Sequence, residues 1–154
     1  MGEARKLYRR EFLVTPALSL SAYSSGDAIA GLTTLSQAVR SADQSGLVEQ
    51  LIIEDADAQS AAMDVLLFES AVAAGTDNAA YALSKPDMKK LVGLIRVQAA
   101  DYVIVGARSI ARVSPAIHIQ MNASQHLFAQ IVSRGTPTYT ASDSLQLRLV
   151  MNQD

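Results

Sequence analysis

Short runs of apolar residues, many of them alternating with polar ones, recur from end to end of this chain. Turn residues separate them, and no long amphipathic helix intervenes. Leu145, Leu147, Leu149 and Met151 alternate with Gln146, Arg148 and Val150. Ile117, Ile119 and Met121 alternate with His118, Gln120 and Asn122. A side-chain period of two places each set on one face of a β-strand. Further runs at 28–35, 47–53, 61–68, 91–97, 102–105, 107–113 and 127–132 bring the count to about nine strands, at spacings of roughly 8–15 residues, and 12–15 continues a first edge strand. Parallel βαβ units need crossover helices, so the pattern predicts an all-β fold. The expected form is an antiparallel β-sandwich, jelly-roll-like, with at most short helical turns.

Local signals refine this. Ser24-Ser25-Gly26-Asp27 is a turn signature, and Gly31 marks a bulge or a close backbone approach. Val65-Leu66-Leu67-Phe68 is apolar on both faces, as a buried central strand is. Ala58–Ala74 is rich in Ala, Leu and Met, which leaves a helix as the alternative there. Pro86-Asp87-Met88 after Ser84-Lys85 predicts one helical turn.

At 154 residues the chain is expected to form one domain that buries roughly two-thirds of its unfolded surface. We divide it into a basic N-terminal arm, 1–11, and one β-sandwich domain, 12–154. There is no Cys, which excludes disulfides, thiolate metal sites and thiol nucleophiles and fits a reducing cytosol. The net charge of −2 gives no global attraction to nucleic acid. The N-terminal residues lack the apolar stretch of a signal peptide, and Arg96 and Asp101 interrupt the longest weakly charged stretch, so no membrane span is expected.

Reactive chemistry is sparse. Neither a G-x-S-x-G elbow nor a glycine-rich phosphate loop occurs. His118 and His126, with Asp101 or Asp143, lack a metal-site spacing and read as a wet strand face and a turn. Asp55, Asp57 and Asp64 fail the calcium-loop pattern, since Ser60 and Leu66 stand where Gly and Glu are required. They read as solvated turn carboxylates. We therefore expect no enzyme activity, no cofactor and no metal. Arg5, Lys6, Arg9 and Arg10 form the one local charge asymmetry. The segment around them reads as an exposed arm or a first edge strand. It would serve as a phosphate-binding arm, as a contact to a neighbouring subunit, or as a solvated terminus.

The C-terminal third, Ser133-Arg134-Gly135-Thr136-Pro137-Thr138-Tyr139 with Ser142-Asp143 and Leu145-Gln146-Leu147-Arg148-Leu149, resembles a family of small virion proteins of tailed bacteriophages that decorate or cement the capsid. Tyr23-Ser24-Ser25-Gly26-Asp27, Gln59 to Phe68 and Thr76-Asp77-Asn78-Ala79-Ala80 look like the same family, in the same order. The resemblance implies a jelly-roll-like β-sandwich on the outside of the head, a homo-oligomer (trimer over dimer), and the major capsid protein as partner. It implies synthesis in the host bacterial cytoplasm, localisation in the virion, and neither nucleic acid nor membrane as a partner. It implies no catalytic residues. Capsid or subunit contact through Arg5, Lys6, Arg9 and Arg10 is a reading of their charge, not a family motif. The alternative function is a jelly-roll carbohydrate- or receptor-binding module. An apolar surplus that includes Ile52, Val65–Phe68 and Ile104 suggests burial between subunits.

Overall fold

A computed structural model of the chain describes residues 8–122 and 124–154. Ten strands run through the described residues. They are β1 (Tyr8–Val14), β2 (Ala28–Leu35), β3 (Ser45–Asp55), β4 (Met63–Phe68), β5 (Leu91–Val97), β6 (Tyr102–Val105), β7 (Arg108–Val113), β8 (Ile117–Gln120), β9 (Leu127–Ser133) and β10 (Leu145–Gln153). Among the described residues, helical structure is confined to one turn, α1 (Lys85–Met88), and a 3-10 turn at Ala99–Asp101. Ser84 caps α1 by accepting from the Asp87 amide at 3.2 Å, with Pro86 in the first turn, as the sequence predicts.

One sheet runs β1-β10-β3-β7-β6, with β8 pairing the first part of β3; the other runs β2-β9-β4-β5. Every strand pair is antiparallel. With the β6–β7 hairpin set aside, β1 pairs β10, β2 pairs β9, β3 pairs β8 and β4 pairs β5. That is a strand ribbon folded in half at the β4–β5 connection and wrapped so that successive pairs alternate between sheets. It is the connectivity of a jelly roll.

The alternation read from sequence builds the core. Leu145, Leu147, Leu149 and Met151 of β10 face Met63, Val65 and Leu67 of β4 and Leu127, Ala129 and Ile131 of β9 within one buried cluster. Each such large side chain contributes about 1.5–3 kcal/mol relative to exposure. The outer face of β4 is covered as well: Leu66 and Phe68 pack with Val132 beneath Val72, Tyr81 and Leu83 of the β4–β5 connection. The segment Ala58–Ala74 contains β4 and no helix, because pairing with β5 and β9 on both sides outweighs the helical preference of Ala. The β2–β9 register shifts between Ile29 and Thr33, around Gly31, with Ala30 at φ 58°.

Of the basic segment, Arg5 and Lys6 lie outside the described residues. Residues 8–11 form the first part of β1, an edge strand paired to β10 from Tyr8↔Gln153 onward.

Candidate functional site

Strand β6 is the far edge of the larger sheet. It pairs with β7 on one side and with no described strand on the other. Its sequence, Tyr-Val-Ile-Val, is β-branched after the first residue, which suits a strand. The Gln98 amide donates to the Asp101 carboxylate at 2.8 Å, closing the 3-10 turn that leads into it. The buried Tyr102 hydroxyl donates to the Ala61 carbonyl at 2.9 Å and anchors the strand's start. Gly106, at φ 64°, makes the turn into β7.

Beyond Tyr102 the strand is bare. Val103, Ile104 and Val105 are 65 %, 66 % and 60 % exposed. Val103 pairs with Ile110, and Val105 with Arg108, on the outer face; Ile104 points to the other side. With Ile110 half exposed, the hairpin carries apolar side chains on both faces of an open edge. Edge strands are ordinarily blunted by Lys, Pro, a bulge or a cover. The exposed part of β6 has no charge, no proline and no register shift.

The surplus apolar residues read from sequence therefore divide. Val65–Phe68 are buried within the chain, Ile52 is half-buried on the outer face of the larger sheet, and Ile104 is exposed. The sequence could not separate them, because burial depends on which strands flank each one.

The basic pair of β1 is split between faces. Arg9 is outward and meets Glu11 at 2.8 Å. Arg10 shares the other face with Phe12, its guanidinium 5.3 Å from the ring centroid, and its Nε is buried without a hydrogen-bond partner.

Two of the three aspartates read as solvated turn groups are buried. Asp55 accepts from the Asp57 and Ser60 amides, both at 2.9 Å, and organises the turn after β3. Asp64 is buried in β4 and binds Arg96 and Arg134. Asp57, half-buried, accepts from Thr140 through its amide at 2.9 Å and hydroxyl at 2.6 Å, tying two loops together. Those bonds, led by the Thr140 hydroxyl, lower its pKa. His118 is exposed on β8, while His126 Nδ1 accepts from the Gln37 amide at 3.0 Å. Among the described residues no three His, Asp or Glu side chains gather as metal ligands. No helix among them is long and apolar enough to cross a membrane.

A polar groove of about 400 Å³ opens where β3, β7 and β10 end or begin. Thr15, Glu54, Arg108, Ser109, Asp143 and Gln146 are among its lining residues, and none of the lining residues is aromatic.

No protein-family model and no curated protein matches the sequence. Among solved structures, the chain is similar to the VP2 subviral particle of infectious bursal disease virus (16 % identity, TM-score 0.42, 94 % of this chain, 32 % of that one). It is also similar to the Gt strain of the same virus (15 % identity, TM-score 0.43, 94 % and 32 %). A third is the virus-like particle of extra small virus from the giant freshwater prawn Macrobrachium rosenbergii (13 % identity, TM-score 0.31, 100 % and 84 %). The chain spans about a third of the length of the first two. At these identities and TM-scores the similarities assign it neither a family nor a role.

Proposed function

We propose that this chain is a non-enzymatic virion structural protein that decorates or cements the outer surface of a tailed-phage capsid. The observation that carries this reading is the open β6 edge. An unguarded apolar strand edge invites strand pairing or apolar burial against another chain. Many weak copies of such a contact around a symmetric shell add up through avidity. The resemblance of residues 23–149 to phage decoration proteins supplies the setting. In this reading the partners are the major capsid protein and further copies of the chain, as a trimer. The protein is made in the host bacterial cytoplasm and resides in the virion. Arg5, Lys6, Arg9 and Arg10 add contacts to the capsid or a neighbouring subunit, with Arg9 already at the surface.

The test is co-sedimentation with shells assembled from tailed-phage major capsid protein, together with the absolute mass in solution by light scattering. We expect saturable binding at many copies per shell, weakened at least about tenfold by Ile104→Lys, which places a charge on the edge. A wild-type chain that stays monomeric and ignores intact and expanded shells overturns the reading.

The polar groove supports a second reading, a carbohydrate- or receptor-binding module, because carboxylates, an amide and hydroxyls suit sugar hydroxyl groups. It offers no aromatic face for stacking. Saturable glycan binding lost in Asp143→Ala would favour it; silence on a broad glycan array would remove it.

A further inference from the structure

Asp64 is the one charged residue of β4, and its side chain is 1 % exposed. Its carboxylate accepts from Arg96 through Nε at 2.9 Å and Nη2 at 3.2 Å, and from Arg134 through Nε at 2.7 Å. Arg96 is Asp64's register partner on β5, and Arg134 follows the last residue of β9. The Arg134 amide donates to the Ala62 carbonyl at 2.8 Å, so its backbone is fixed too. One carboxylate thus orients two guanidiniums and leaves a net positive charge. The first carboxylate after Arg96 in the chain, Asp101, is engaged by the Gln98 amide.

Arg96 Nη1 and both terminal nitrogens of Arg134 donate to no other group among the described residues. The two side chains are 61 % and 45 % exposed and line a cavity of about 320 Å³ with Gln98, Val97 and Ala62. Guanidiniums held in place by a buried acid lose little freedom on binding a ligand, and their planar forks match a carboxylate. The single uncompensated charge suits a singly charged carboxylate better than a doubly charged phosphate.

We propose that Arg96 and Arg134, pinned by Asp64, form a binding site for one carboxylate group, supplied by a free small anion or by an acidic side chain of another chain. The proposal stands apart from the β6 edge and from the capsid reading.

The experiment follows the Arg Nε–H signals of the full chain by NMR at constant ionic strength while glutarate or a hexaglutamate peptide is added. Saturable shifts are expected at Arg96 and Arg134. Arg134→Gln should weaken binding about tenfold, the loss of one charged hydrogen-bonding group. Asp64→Asn should weaken it as well, because the two guanidiniums lose the acid that holds them in place; Arg96→Gln, expected to match Arg134→Gln, keeps the test open if one of the others fails to fold. Tighter binding of hexaglutamate per carboxylate assigns the site to an acidic segment, and equal binding assigns it to free anions. Shifts that never saturate, or equal affinity in wild type and the variants, overturn the proposal.

Discussion

Tyr23 and Tyr139 meet edge to face, with ring centroids 6.1 Å apart, yet their hydroxyls have opposite surroundings. Tyr23 donates to Asp77 at 2.8 Å and accepts from the Ser19 amide at 2.8 Å. The Tyr139 hydroxyl is buried with no partner among the described residues. Burial raises both phenol pKa values, helped by Asp77 in the first case and Asp55 in the second. Losing an unpaired buried hydroxyl removes a cost, whereas losing a paired one strands its partner. Tyr139→Phe is expected to leave stability unchanged or raise it by up to about 1 kcal/mol, and Tyr23→Phe to lower it by about 1–2 kcal/mol, both by chemical denaturation. Asp64 supplies a pH signature. Burial alone would raise its pKa, but hydrogen bonds and charge from Arg96 and Arg134 outweigh burial and hold it below the usual carboxylate range. A depressed folded-state pKa stabilises above the unfolded value, about 4, and that stability is lost as pH falls through the folded-state value. Asp64→Asn should therefore cost about 1–3 kcal/mol at neutral pH, the worth of hydrogen bonds to charged groups, and the gap from wild type should shrink steadily below about pH 4.

The β4–β5 connection shows how one backbone position fastens a whole element. The Gly75 amide donates to Gln130 Oε1 at 2.9 Å, and Gln130 in turn donates to the Ala30 and Ile131 carbonyls, both at 3.1 Å. A Cβ on Gly75 would stand 2.6 Å from the Ala28 Cβ, an atom with no rotamer to escape into. Gly75→Ala is expected to cost about 1–3 kcal/mol through overpacking. Hydrogen exchange should show residues 69–84 losing protection while β10 keeps its own. Elements of this kind also mark where sequence reading succeeds and stops. Strand β10 was legible because period two needs no knowledge of its neighbours, and β4 because it is apolar on both faces. The open edge of β6 was not legible: Val103–Val105 looks like any buried strand until the strand order is known. The Asp64 cluster was hidden for a similar reason, since its arginines lie 32 and 70 residues away in sequence.

Across the whole molecule the pairings are dominated by distant partners: β1 with β10 and β2 with β9 close the longest loops. Such topologies fold slowly, so refolding after dilution from denaturant is expected on a time scale of about milliseconds to seconds or longer. Because β10 is the strand between β1 and β3, removing residues 145–154 should abolish the cooperative unfolding transition followed by circular dichroism. The same pairing governs how the molecule answers force. Tyr8 lies opposite Gln153, so tension applied through these two residues meets the β1–β10 ladder at one end and unzips it a rung at a time. Attachment at Val14 and Gln153 would instead load every rung together, in shear, and should need a larger force to rupture. In the proposed cementing role, the load would therefore have to enter through the flanks, away from Tyr8 and Gln153.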